Sequence, residues 1–171
     1  MYSALDIAKW FIAETNAEKN LNQSTNNDYD IYEGITHLKL QKLLYFAQGV
    51  CLAETGEPLF YDNIEAWSYG PVVRSIYEKF VDNGRNNLEL DMENPENSSI
   101  VDKILNDTKV RKILDFVYEN FASYTAWKLV DMTHKIGTPW DITREKNNNE
   151  KDVIDNSLIK DYFVREIMEW N

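Results

Sequence analysis

Apolar residues recur every three or four positions along most of this chain, which predicts a mainly α-helical fold. The first predicted helix covers residues 4–17, and Ser3 with Asp6 at its start is typical of a capping box. A second helix is predicted over "HLKLQKLLYFAQGVCLAET", because Thr36 can cap its start and Gly56 is the expected stop. The long apolar face of this second helix makes it the predicted centre of the core.

The apolar period changes in the middle of the chain. The stretch "PLFYDNIEAWSYG" contains strand-like residues and an Asp62-Asn63 turn, which together predict a small β-hairpin element. At the Gly70-Pro71 pair, the glycine allows a sharp redirection and the proline suits the first turn of a helix. We therefore expect a third helix to begin at Pro71 and to end near Gly84.

The remaining predictions concern the loops and the C-terminal half. Residues 16–35 are Asn-rich and lack periodicity, which predicts a surface loop insertion, and residues 146–156 are predicted to be a charged loop. The overall prediction is a single globular helical domain, residues 1–171, of about six helices with a small β-hairpin element. The other predicted elements are a short strand at 88–90 in an acidic connection, a helical segment that starts at 107, pauses around 122–124 and resumes over 125–135, and a helix with Thr138 as cap and Pro139 in its first turn. A last helix is predicted at 157–170, where it buries Ile159, Tyr162, Phe163 and Ile167.

Composition and charge limit the partners of the protein. Apolar residues make up 43% of the 171 residues and aromatic residues 13%, which is typical of a folded globular protein. The net charge of −11 repels phosphate backbones and anionic lipid, so we expect neither nucleic acid nor a membrane as a direct partner. A single cysteine, the absence of a signal-like N-terminus and the absence of long apolar runs together predict a cytoplasmic location.

Residues with catalytic or metal-binding chemistry are sparse. His37 and His134 lack the spacing of metal ligands, and the six glycines are isolated and form no phosphate-binding loop. Cys51 lies on the apolar face of a predicted core helix, where a reactive thiolate is disfavoured. We therefore predict no catalytic residue, no metal and no cofactor.

Aromatic and basic residues are unevenly distributed in this acidic chain. Residues 34–53 contain no acidic side chain, and the segment that begins at Trp67 adds several aromatics and an arginine. Packed together, these segments would form an aromatic surface with local positive potential, which is suited to anchoring a partner protein. The alternative places Trp67 and Tyr69 in the core and pairs Arg74 with a nearby carboxylate. The residues of the predicted surface are His37, Lys39, Lys42, Trp67, Tyr69, Arg74 and Tyr77.

Three blocks of the sequence resemble, in order and spacing, the signature blocks of the phage-associated, SocA-like Panacea domain. They are "THLKLQKLLYFAQG", "EPLFYDNIEAWSYGPVVRSIYEKF" and "YTAWKLVDMTHKIGTPW", and the opening "ALDIAKWFI" is similar to that domain's first helix. The resemblance covers about residues 4–145. It maps the family signature onto Lys39, Leu43, Leu44, Tyr45, Trp67, Gly70, Pro71, Val72, His134, Pro139 and Trp140.

The resemblance implies an antitoxin from a bacterial or prophage toxin–antitoxin pair, which neutralises its cognate toxin by direct binding. For one branch of the family it also implies delivery of the toxin to a protease, so a protease or chaperone would be a further partner. Members of the family pair with many unrelated toxins, so the resemblance does not name the toxin. A toxin that acts on nucleic acid or nucleotides usually has a basic face, to which a protein of charge −11 would be steered.

Two alternatives from other functional classes stay open at this point. The first is a small enzyme in which His134 is the general base, Arg74 or Lys39 holds an anion, and Trp67 and Trp140 floor the pocket. The second is a phage structural or scaffold protein that forms homo-oligomers through an apolar patch, for which the aromatic helix ending at Trp170 is the candidate.

Overall fold

The computed structural model describes residues 2–24, 34–147 and 151–170, which form eight α-helices, one short 3₁₀ helix and a two-stranded antiparallel sheet. The predicted mainly α-helical class with a small β element is confirmed. None of the helices in this described part is long and apolar enough to cross a membrane. In chain order the elements are α1 (Ala4–Ser24), α2 (His37–Thr55), β1 (Ile64–Trp67), β2 (Gly70–Val73), α3 (Arg74–Phe80), the 3₁₀ helix (Val81–Asn83), α4 (Pro95–Asn106), α5 (Thr108–Phe121), α6 (Ala126–Thr133), α7 (Pro139–Asn147) and α8 (Asn156–Trp170).

Helix α2 is the centre of the core, as its apolar pattern predicts. It contacts α1, α3, α5, α6, α8 and β2, and every residue from 39 to 52 is buried. Its predicted ends are confirmed, because the Thr36 hydroxyl accepts a hydrogen bond from the Lys39 N–H and Gly56 ends the helix at φ 77°. Helix α8 approaches α2 at Gly49, where an added Cβ would lie 2.4 Å from the ring of Phe163.

Two buried glutamines on α2 bind the backbone of the segments that pass over it. Gln41 accepts a hydrogen bond from the Val73 N–H at 2.7 Å and donates one to the Val73 carbonyl at 3.3 Å. Gln48 accepts from the N–H groups of Leu59 and Phe60 and donates to the Phe60 carbonyl at 3.0 Å. Each side-chain amide thus makes the hydrogen bonds that a neighbouring strand would make. Buried backbone groups that would otherwise lack partners are satisfied in this way.

Lys42, also on α2, binds the hairpin in the same way. Its side chain is 0% exposed, and its Nζ donates a hydrogen bond of 2.9 Å to the Pro71 carbonyl. Gly70 has φ 97°, and a Cβ there would lie 2.9 Å from the Lys42 Nζ and 2.7 Å from the Thr133 hydroxyl, so only glycine fits this position. Burial of the amine lowers the pKa of Lys42 to about 7.

The predicted start of the third helix at Pro71 is wrong, because Pro71 lies in β2 and the helix begins at Arg74. Pro71 is paired with Ala66 of β1, whose own N–H and carbonyl bond to Asp152 and Lys151 on the other side of the strand. The Ala66–Pro71 pair therefore exchanges no ladder hydrogen bonds, and the missing N–H of proline costs nothing there.

The turn of the hairpin was also placed wrongly. It consists of Ser68 and Tyr69, which join β1 to β2, and not of the Asp62-Asn63 pair. The Asp62 carboxylate instead accepts hydrogen bonds from the Ala4 N–H at 3.1 Å and the Ser75 hydroxyl at 2.9 Å. Asp62 thus ties the base of the hairpin to the first turns of α1 and α3.

Helix α1 is longer than its predicted range of 4–17. The predicted capping box is confirmed by reciprocal hydrogen bonds between Ser3 and Asp6, but the helix continues to Ser24. The predicted loop 16–35 therefore begins too early, and residues 25–33 lie outside the described residues. Tertiary contacts support the added part of the helix, since Glu18 accepts a hydrogen bond from the Tyr118 hydroxyl at 2.6 Å and Lys19 pairs with Glu89 at 3.5 Å.

Helix α4 was missed in the sequence, where residues 86–99 were assigned to an acidic connection and 100–106 to no element. Asn94 caps the helix by accepting a hydrogen bond from the Glu96 N–H at 2.9 Å, and Pro95 occupies the first position. The predicted strand at 88–90 is absent from the described structure, where a single bridge joins Asn87 to Thr36.

The predicted charged loop 146–156 is shorter than expected. Helix α7 continues to Asn147, and residues 151–154 run along β1, with the Ile154 N–H donating to the Ile64 carbonyl at 2.8 Å. Helix α8 buries Ile159 and Phe163 as predicted, and Tyr162 is partly buried. The side chains of Ile167 and Trp170, assigned to the core and to an oligomer contact, lie outside the described residues.

We predict that Gln41→Leu destabilises the protein, because it leaves the Val73 N–H and carbonyl buried without partners, at about 1–3 kcal/mol each. Urea unfolding of both proteins measures the difference. The control is Asn120→Leu on the exposed face of α5, which should change the free energy of unfolding by less than about 0.5 kcal/mol. Equal midpoints for Gln41→Leu and the wild type would refute the role of this amide.

We also predict that stability rises with pH above neutrality because of Lys42. The amine has a pKa near 10.4 when unfolded and about 7 when folded, so the unfolded chain binds more protons between these values. The free energy of unfolding should increase by about 2 kcal/mol from pH 7 to pH 9. Lys42→Met should lack this rise, whereas Lys128→Met on the exposed face of α6 should keep it. Parallel pH profiles for the wild type and Lys42→Met would contradict the assignment.

Candidate protein-binding site around the hairpin

The predicted signature residues divide into an interior group and a group around the hairpin. Lys39 and Tyr45 are buried on α2, and the Tyr45 hydroxyl has no hydrogen-bond partner within the described part of the chain. Gly70 and Pro71 are buried where the hairpin meets α2. Lys42 is also buried, so Lys39 and Lys42 contribute no exposed charge to the predicted surface. The predicted local positive potential is therefore wrong at these two positions.

Glu65 connects the residues on the outer face of the hairpin. Its carboxylate accepts two hydrogen bonds from the Arg74 guanidinium, both 2.9 Å long, and one from the Trp67 indole N–H at 2.7 Å. Lys151 lies over the Trp67 ring, with Nζ 4.5 Å from the ring centroid. The part of the alternative that paired Arg74 with a nearby carboxylate is therefore confirmed. Side chains alternate along a strand, so Glu65 and Trp67 lie on one face of β1. This alternation could have identified Glu65 in the sequence as the carboxylate that pairs with Arg74.

The electrostatics of Glu65 favour its ionised form. Burial of the carboxyl opposes ionisation, but the hydrogen bonds from Arg74 and Trp67 hold the pKa of Glu65 below its ordinary value. The Arg74 side chain is about half exposed at this ion pair. The Glu65 carboxylate therefore fixes the orientation of the Trp67 ring, and its pairing with Arg74 leaves little unpaired charge on this face of the hairpin.

His134 and Trp140 pack behind the hairpin. The Trp140 indole N–H donates to the Trp67 carbonyl at 2.7 Å, and the imidazole of His134 stacks on Trp140 at 3.8 Å between ring centroids. Pro139 is buried at the first position of α7, as predicted. Burial and the nearby Lys42 lower the pKa of His134, and its Nε2 has no hydrogen-bond partner among the described residues.

The described contacts of His134 do not include those that the enzyme alternative requires. His134 makes none of the described hydrogen bonds to a carboxylate that would orient it as a base, and Trp140 covers one face of its ring. A groove of about 840 Å³ lies between α2 and α5 and a cavity of about 70 Å³ lies beside Tyr45, and His134 lines neither. In the described ranges no three His, Cys, Asp or Glu residues converge on a potential metal position.

An exposed aromatic pair lies at the end of the hairpin. Tyr69, in the turn, is 61% exposed, and Trp127, on α6, is 59% exposed. Their rings meet edge to face with centroids 5.7 Å apart. The hypothesis that placed Tyr69 in the core is therefore wrong. Trp127 was missed, although Ala126, Leu129 and Val130 form the buried face of α6 and so place Trp127 outside it.

Comparison with known proteins identifies the family. The family described as Antitoxin SocA-like, Panacea domain matches residues 40–141. Antitoxin SocA of Caulobacter vibrioides (strain NA1000 / CB15N) is 33% identical over 111 residues, which cover 63% of this chain and 59% of that relative. No solved structure matches the chain. The match includes most of α2, the hairpin and α6, where the sequence blocks resemble the family, and the chain belongs to the antitoxin SocA-like, Panacea domain family.

Proposed function

We propose that this protein is an antitoxin that neutralises a cognate toxin by direct protein–protein contact and catalyses no reaction itself. The observation that carries the proposal is the family match over residues 40–141, to which the similarity to a relative named antitoxin SocA adds support. Its setting would be the cytoplasm, where the lone Cys51 stays reduced.

The charge of the molecule suits a basic partner. Residues 82–107 carry seven acidic and two basic side chains, and those at 82, 89, 91, 93, 96 and 102 are exposed acidic groups. A strongly negative surface raises the rate at which a positively charged partner is captured, and salt screens this attraction. The acidic segment 82–107 would thus speed the encounter with a toxin whose active face is basic.

We predict that the protein protects cells from the toxin encoded by the neighbouring open reading frame. Co-expression should restore growth and yield a complex that co-purifies, with an association rate roughly tenfold slower in high salt than in low salt. An unrelated acidic helical protein at the same expression level is the control. Continued growth arrest together with separate elution of the two proteins would refute the antitoxin assignment.

Delivery of the toxin to a protease is the second part of the proposal, and it follows from the family resemblance. If the protein acts in this way, the toxin half-life measured after translation is blocked should shorten several-fold when the antitoxin is present. A toxin that is neutralised but has an unchanged half-life would contradict delivery and leave neutralisation by binding in place.

A further inference from the structure

We propose that Tyr69 and Trp127 anchor the toxin, by inserting together into an uncharged, apolar recess on that partner. This inference rests on the proposed function, because it names the surface through which the toxin is held. It commits to a protein partner of a particular chemistry, and the argument uses the exposure of the pair, its rigid support and the charge balance around it.

The exposure of the pair is the first observation. Tryptophan is usually largely buried, yet Trp127 and Tyr69 are 59% and 61% exposed and touch only across two separate elements, the hairpin turn and α6. Tyr124, one turn before Trp127, and Ile136, after α6, are also exposed. Tryptophan and tyrosine are the residue types that most often dominate the binding energy of interfaces, because they bury large areas with few rotatable bonds.

Rigid support is the second observation. The turn that carries Tyr69 is held from below by the Lys42–Pro71 hydrogen bond and from the side by the Trp140–Trp67 hydrogen bond. Helix α6 is capped by Thr125, which accepts a hydrogen bond from the Lys128 N–H. Both rings therefore project from elements that are already ordered, so a partner would spend little free energy on fixing them.

Charge balance is the third observation, and it decides the chemistry of the recess. Residues 64–80 and 124–145, which surround the pair, carry five basic and five acidic side chains, although the whole chain has a net charge of −11. The acidic segment 82–107 lies elsewhere, because Glu89 pairs with Lys19 of α1 and α4 packs on α1 and α5, whereas α6 packs on α2, β2 and α7. The exposed pair is thus complementary to an uncharged apolar surface of the partner, while the acidic segment 82–107 attracts the partner from a distance.

The test measures toxin binding by the full chain and four variants. Trp127→Ser and Tyr69→Ser remove the anchor, and Trp127→Phe keeps part of the aromatic area. The matched controls are Tyr61→Ser, a tyrosine that is 72% exposed at the opposite end of the hairpin, and the wild type. Each purified variant is first shown to unfold at the wild-type temperature, and association and dissociation rates are then measured at two salt concentrations.

Trp127→Ser should weaken binding by about 30-fold, almost entirely through faster dissociation, and Tyr69→Ser by about tenfold. Trp127→Phe should lose less than Trp127→Ser, and Tyr61→Ser should stay within about twofold of the wild type. The salt dependence of association should be the same in every variant, because the acidic segment is unchanged.

Three outcomes would overturn the inference. Wild-type affinity in both Trp127→Ser and Tyr69→Ser would remove this surface and leave the antitoxin function standing. Equal losses in Tyr61→Ser and Trp127→Ser would show that the effect is not specific to the pair. A wild-type dimer that Trp127→Ser converts to a monomer, with toxin binding unchanged, would assign the pair to self-association. Failure of the wild type to bind any toxin would instead refute the proposed function itself.

Discussion

The fold depends on polar side chains that are buried within its central helix. Gln41, Lys42 and Gln48 point from α2 toward irregular or edge backbone and supply the hydrogen bonds that a further strand would otherwise supply. A two-stranded hairpin is marginal alone, because most of its backbone groups lack partners and it has no second layer. Packing against α2 supplies hydrogen-bond partners for the hairpin backbone and a second layer beneath the hairpin. It also fixes the position of the hairpin relative to α6. The buried polar side chains of α2 therefore determine where the exposed residues of the hairpin turn and α6 lie relative to each other.

The charge distribution separates two physical roles. Long-range attraction depends on net charge, which is concentrated in the acidic segment 82–107, and close contact depends on apolar area, which is available beside the hairpin. Arg74 could have linked the two roles by offering a positive charge at the contact face. Because Glu65 accepts both of its guanidinium hydrogen bonds, that charge is neutralised within the protein.

Local signals in the sequence predicted the helical class, the two ends of α2 and the existence of the hairpin, because caps and apolar periods act over a few residues. Pro71 was misassigned because a proline is tolerated both in the first turn of a helix and at an unbonded strand position, and in both places its missing N–H has no consequence. The burial of Lys42 could not be predicted, since it depends on a carbonyl 29 positions away in the chain. The exposure of Trp127 could have been predicted, because the helical period of α6 places this residue outside the buried face.

Hydrogen bonds from α2 hold the hairpin by its main chain, and the buried side chains of Ile64, Ala66 and Val73 add to the attachment. Val73 is held through its N–H and carbonyl, and Pro71 through its carbonyl, so Gly70 is the position near the turn where side-chain size is constrained. Position 69, whose side chain is 61% exposed, can therefore change identity without loosening the support beneath it. Such a turn is an evolvable module: a lineage, or a protein engineer, can rewrite which partner is recognised while the scaffold keeps its stability.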